Sequence, residues 1–153
     1  MIWERGTDDR AADQGEPLVL TYEVVENDYT RAGEASGDVK KKLRMAGVDM
    51  QTIRRISICM YEGEINMVIH ANGGVITVEI YENKVRMILA DHGKGIKDVN
   101  QAMQAGWSTA SEEARNLGFG AGMGLPNMDK NSDSMRIDTE IGVGTTVTMT
   151  VSY

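Results

Sequence analysis

Two apolar runs separated by a three-residue break constrain the fold of this chain more than any other feature. From Val75 to Tyr81, Ile76, Val78 and Ile80 alternate with Thr77, Glu79 and Tyr81, the period of a half-buried strand. Glu82 and Asn83 read as a tight turn into the run Val85 to Ala90, an antiparallel neighbour that is more apolar and so lies nearer the middle of a sheet. Leu18, Leu20, Tyr22 and Val24, following Pro17, show the same alternation, as do Met135 to Glu140 and Thr145 to Tyr153, where Val147, Met149, Val151 and Tyr153 mark the buried face.

Helical spacing interrupts this strand pattern. Ala32, Ala35, Val39, Leu43 and Ala46 recur three or four apart between Tyr29 and Ala46, and Gly47 follows as a stop. Asp49 is placed to cap a second helix whose apolar stripe is Ile53, Ile56, Met60, Gly63 and Met67. Shorter helices are expected over about Lys97 to Ala105 and Met123 to Asn131, the latter with Pro126 in its first turn. The pattern predicts a two-layer α/β sandwich, with a mixed, mostly antiparallel sheet covered by helices on one face.

With 153 residues, 41% of them hydrophobic, the chain is expected to form one domain over residues 17–153. Residues 1–16 have no period and few apolar anchors, and are expected to be a mobile lead-in. A net charge of -7 argues against a nucleic-acid backbone or an anionic membrane as partner. Cys59 is the single cysteine, no apolar run reaches the ~20 residues of a membrane span, and no secretory leader is visible, so a cytoplasmic protein is expected.

Three patches break the apolar pattern. Glu62, Asn66 and His70 are four apart and form one polar stripe on the second helix. The Asn66 amide oxygen suits Mg²⁺ alongside phosphate and water, and Glu62 could orient or deprotonate a nucleophile; as isolated residues they also fit a solvated helix face. Asp91-His-Gly-Lys-Gly-Ile96 closes the central strand, where the carboxylate could accept from an exocyclic amine such as that of adenine, or cap a turn. Gly118-Phe-Gly-Ala-Gly-Met-Gly-Leu125 opens a helix and could cradle phosphate, or be a flexible turn. Between the last two lies a long segment with little period, Gly106 to Gly120, of the kind often used as a lid, which carries Arg115. Two histidines and one cysteine argue against a zinc site.

In this order, these patches resemble the motifs of the GHKL ATPase superfamily and its Bergerat nucleotide-binding fold. Glu62 and Asn66 resemble the N box, Asp91 to Gly95 the G1 box, Gly120 to Gly124 the G2 box, and Gly144-Thr-Thr146 the last glycine-threonine box. The small size, the Ser108-Thr109 pair, and Gly-Ala-Gly-Met-Gly-Leu-Pro126 are similar to the anti-sigma-factor serine kinases and the stressosome switch kinase.

The resemblance implies ATP or ADP as ligand with Mg²⁺ held by Asn66. It gives Asp91 the adenine, assisted by Thr146, and sets Gly93, Gly95, Gly120, Gly122 and Gly124 around the phosphates. Glu62 is then the general base for a serine or threonine hydroxyl, and Arg115 the candidate γ-phosphate contact. The implied function is an ATP-dependent serine/threonine protein kinase acting on a regulatory partner, such as a sigma factor or an anti-sigma antagonist. A non-catalytic module whose grip on a partner responds to ATP or ADP is the alternative. Members of such groups often dimerise, so a homodimer is compatible with the resemblance.

Overall fold

A computed structural model describes residues 1–70, 73–104 and 123–153. The strands are β1 (Ile2–Arg5), β2 (Leu18–Val24), β3 (Gly74–Ile80), β4 (Lys84–Asp91), β5 (Ser134–Glu140) and β6 (Gly144–Ser152). Among the described residues the α-helices are α1 (Glu34–Met45), α2 (Met50–His70), α3 (Val99–Ala102) and α4 (Gly124–Asn131), and a 3-10 turn spans Arg10–Ala12. The six strands form one sheet in the order β1-β5-β6-β4-β3-β2. Where a mixed sheet was expected, every pairing among the described residues is antiparallel. The chain leaves β4 at Asp91 and comes back through β5, whose hairpin turn delivers β6 beside β4 with Thr146 opposite Ala90. A strand re-entering at that end must run opposite to β4.

Alternation then fixes the faces. Ile76, Val78, Val85, Met87, Leu89, Met149 and Val151 are buried on the face that meets the helices, where Val39 and Leu43 of α1, the expected α2 stripe, and Leu125 and Met128 of α4 close over them. Methionines 60, 67, 87, 128, 135 and 149 all lie in this core, where an unbranched thioether fills irregular gaps. Cys59 is buried there too, and burial pushes its thiol pKa upward.

Both long helices are capped, by different means. Asp49 accepts from the Thr52 amide at 3.0 Å and starts α2 as expected. Helix α1 starts at Glu34, five residues later than the spacing predicts, because Gly33 sits at φ 98° and breaks the turn before it. Its amide end is covered from across the core: the buried carboxylate of Glu64 accepts from the Ala35 and Ser36 amides at 3.2 and 3.0 Å. An acceptor at a helix N-terminus satisfies amides that have no partner within the helix.

The expected mobile lead-in is built into the fold. Ile2–Arg5 pairs with β5, and β1 and β2 stand at opposite edges of the sheet. Residues 6–17 therefore cross five strand spacings, ~24 Å at ~4.8 Å each, over the face opposite α1, α2 and α4. The physical reason is Arg86. It lies inside the apolar run of β4, points to that face, and its side chain is fully buried. Asp8 grips the guanidinium at two positions, each at 2.8 Å, Asp13 at 2.9 and 3.1 Å, and Glu79 at 3.0 Å. Lys84 adds an ion pair to Asp13 and donates to the Asp9 carbonyl, and Asn83 donates to the carbonyl of Ala12. A buried cation needs such partners, and the N-terminal strap supplies most of them.

Replacing Arg86 by Met would leave three carboxylates without their shared cation. The expected loss is about 3 kcal/mol, the lower end for breaking a buried pair because each carboxylate keeps some solvent contact. In a domain of this size that lowers the melting midpoint by roughly 6–12 °C. The hydrogen bond from Arg86 holds the Asp13 carboxyl well below the usual range. A depressed folded-state pKa contributes stability above the ordinary carboxylate value, about 4, and that contribution fades as pH falls below it. Denaturant unfolding of wild type between pH 3 and 7 should show this acid-side loss, and the slope should be shallower in the Met variant.

Candidate functional site

Three elements end at one place. The C-terminal half of α2 carries Glu62, Asn66 and His70; α4 begins at Gly124 beside it; and β4 delivers Asp91. The side chain of Asn127, in α4, donates to Glu62 Oε1 at 3.2 Å. One turn along α2, a Cβ placed on Gly124 would lie 3.0 Å from both terminal atoms of the Asn66 amide, so the α4 backbone comes as close to Asn66 as a residue without a side chain allows. Leu125 and Met128, both buried, hold α4 in this position.

Asp91 is fixed by backbone donors. Its Oδ1 accepts from the Gly93 amide at 2.9 Å and from the Thr145 amide at 3.0 Å, while Oδ2 accepts from none of the described residues. The carboxylate is thus oriented through one oxygen and keeps the other as an acceptor, an arrangement that fits an amine donor. Gly144 makes this possible: its φ is 149°, and a Cβ there would fall 2.2 Å from the Asp91 carbonyl oxygen. The following loop is fastened to the β5–β6 hairpin. Thr139 Oγ1 accepts from the Ile96 amide at 2.9 Å and bonds Thr145 Oγ1 at 2.8 Å, the Gly142 amide donates to the Lys94 carbonyl at 2.9 Å, and Gly95 passes against Glu140.

Of the expected site residues, the structure brings together Glu62 with Asn127, Asn66 with Gly124, and Asp91 with Gly93; Gly95 lies in the loop that leaves Asp91. Thr146 does not join them. It faces Ala90 in the register, on the side away from the helices, and its neighbour Thr145 is the residue that meets Asp91. Counting back by twos from Met149 and Val147 identifies Thr145 as the residue on the helix-covered face. Asn127 was also missed, although its position three residues into a helix that opens with glycine is a usable signal. Arg115, Gly120, Gly122 and the Ser108-Thr109 pair lie outside the described residues.

His70 closes the stripe near Lys94 and Asp91. Burial, reinforced by the Lys94 charge, lowers its pKa below the ordinary imidazole value. Among the described residues no group of three or more His, Cys, Asp or Glu converges as a metal site. A cation at Asn66 would therefore need most of its ligands from phosphate and water, which is the habit of Mg²⁺. No helix among the described residues is long and apolar enough to cross a membrane.

The family model described as histidine kinase-like ATPase domain matches residues 25–151. Among curated relatives, the chain is 37% identical over 106 residues to the anti-sigma F factor of Caldanaerobacter subterraneus subsp. tengcongensis, covering 66% of this chain and 71% of that one. It is 33% identical over 107 residues to the anti-sigma F factor of Pasteuria penetrans, covering 65% and 68%. It is 27% identical over 128 residues to the serine/threonine-protein kinase RsbT of Bacillus subtilis (strain 168), covering 81% and 88%.

The backing of Asp91 can be tested without a ligand. In Gly144→Ala the new methyl group meets the Asp91 carbonyl, and a side chain is forced into a backbone conformation that costs about 1–3 kcal/mol. Unfolding stability should fall by about that amount, and amide exchange at Thr145 should accelerate as its bond to Asp91 lengthens.

Proposed function

The chain belongs to the histidine kinase-like ATPase family, and on that premise we propose that it binds Mg·ATP and transfers the γ-phosphoryl group to a serine or threonine of a regulatory protein. The observation that supports this best is the pairing of a clamped Asp91 with a retained Glu62 beside Asn66. In this reading the free Oδ2 of Asp91 accepts from the adenine amino group, and Thr145 takes the place expected for Thr146. Gly93, Gly95 and Gly124, with Gly120 and Gly122, let the backbone approach the phosphates.

Asn66 would hold Mg²⁺, which when bound neutralises charge on the phosphate oxygens. Glu62 takes the proton of the partner hydroxyl while that oxygen forms a bond to the γ-phosphorus and the bond to the ADP oxygen breaks. Arg115 is the candidate for the γ-phosphate contact. The anti-sigma names of the relatives suggest a sigma factor or a small antagonist protein as the partner. The bond from Asn127 to Glu62 favours a second reading, in which Glu62 stays tied to α4 and the domain only changes its grip on a partner with the nucleotide state.

Calorimetric titration of Mg·ATP into wild type, Asp91→Asn and Glu62→Gln tests the assignments. Asparagine turns the free acceptor into a donor, so affinity should fall at least about tenfold, the loss of a hydrogen bond to a charged group. Glu62→Gln should retain binding and lose about 10²–10⁴-fold in transfer of label from γ-labelled ATP to a candidate sigma or antagonist protein. Tight binding with no transfer by wild type would favour the second reading, and no binding by wild type would defeat both.

A further inference from the structure

The N-terminal strand lies outside the residues matched by the family model, yet it ends on the helix that borders the site. Arg5, the last residue of β1, places its guanidinium fork on the C-terminal end of α4 and on Ser132 and Asp133, which follow it. Nε donates to Asp129 Oδ1 at 2.5 Å, and Nη2 donates to the carbonyls of Asp129 and Ser132, both at 2.8 Å, and to Ser132 Oγ at 3.0 Å. Nη1 donates to the Asp133 carbonyl at 3.1 Å. The last carbonyls of a helix lack partners within it and carry the negative end of its dipole. A planar cation with several fixed donors satisfies the Asp129 carbonyl together with those of Ser132 and Asp133, just past the helix.

Helix α4 has only eight residues, too few to hold its shape without tertiary contacts. Its opposite end sets Gly124 against Asn66 and Asn127 on Glu62. Asp129, which Arg5 grips, is two residues beyond Asn127. We infer that Arg5 is a positioning residue for the nucleotide site: by capping α4 from β1, it holds Gly124 and Asn127 against the polar stripe of α2. The N-terminal strand thereby becomes a part of the site, although none of its residues reaches Glu62, Asn66 or Asp91. Its register on β5, Arg5 opposite Met135 and Glu4 opposite Arg136, carries the guanidinium to the end of α4, and the strap bound by Arg86 runs on from there.

This inference rests on the proposed nucleotide site, and the test separates the two. Mg·ATP and adenosine are titrated into wild type, Arg5→Met and Arg5→Lys, with amide exchange followed through α4 and the sheet. In Arg5→Met the affinity for Mg·ATP should fall about tenfold, within the usual range of coupling between sites. Adenosine, which meets Asp91 and not α4, should change less than about twofold on the same reasoning. Exchange should accelerate in α4 while β3, β4 and β6 stay protected, and Arg5→Lys should fall between, keeping the charge without the fork.

Unchanged ATP affinity in Arg5→Met, or an equal loss for adenosine, would overturn the inference. Failure of wild type to bind Mg·ATP would remove the nucleotide reading. The exchange measurement would then still decide the role of Arg5, since unaltered protection of α4 in Arg5→Met overturns it and selective loss in α4 supports it.

Discussion

The guanidinium of Arg86 stands in the middle of the sheet on the face opposite α1, α2 and α4, and much of the fold can be read as the answer to its charge. A cation on a central strand, with its side chain sealed from water, is tolerable only if carboxylates come to it. Glu79 is across the register on β3, but Asp8 and Asp13 arrive on a segment that must traverse the sheet to reach β2. The ion cluster therefore fixes where the strap runs. The strap connects β1, paired along β5, to β2 at the far edge of the sheet.

The site itself is a meeting of element ends, where backbone groups that a helix or strand cannot satisfy internally are free for other work. Asp91 uses that freedom in reverse: two amides at the close of β4 and the opening of β6 orient its carboxylate through one oxygen, and the other accepts from none of the described residues. Across from it, Glu62 and Asn66 face the first turn of α4. Glycine recurs at this junction because Gly144 and Gly124 bring backbone where a methyl group would collide. Groups held by the fold in this way need no reordering to meet a ligand.

What was legible in the sequence is what depends on neighbours in the chain. Alternation exposed β2, β3, β5 and β6, an apolar run exposed β4, and the Asp49 cap and the Ile53–Met67 stripe of α2 follow from spacings of three and four. The stripe Glu62–Asn66 and the acid at the end of β4 were visible for the same reason. Pairings across long separations were not. Arg5 with Asp129, Asp8 with Arg86, and Glu64 with the start of α1 are single polar residues whose partners only the fold selects. A cation inside the apolar run of β4 was the one hint that residues 1–16 could not all be loose. The order of the motif points to Thr146, whereas counting faces from Met149 points to Thr145, whose amide meets Asp91.

Glu62 and Glu64 differ by two positions, about 200° around α2. One points at α4 and accepts from a single amide side chain; the other is buried beneath α1 and accepts from two backbone amides. Both flanks of the helix are packed against buried side chains, but at these two carboxylates one flank is tied to backbone and the other to a side chain. A rotamer change at Asn127 would release Glu62 and leave the α4 backbone in place, whereas release of Glu64 would strip two amides at the start of α1 of their acceptor.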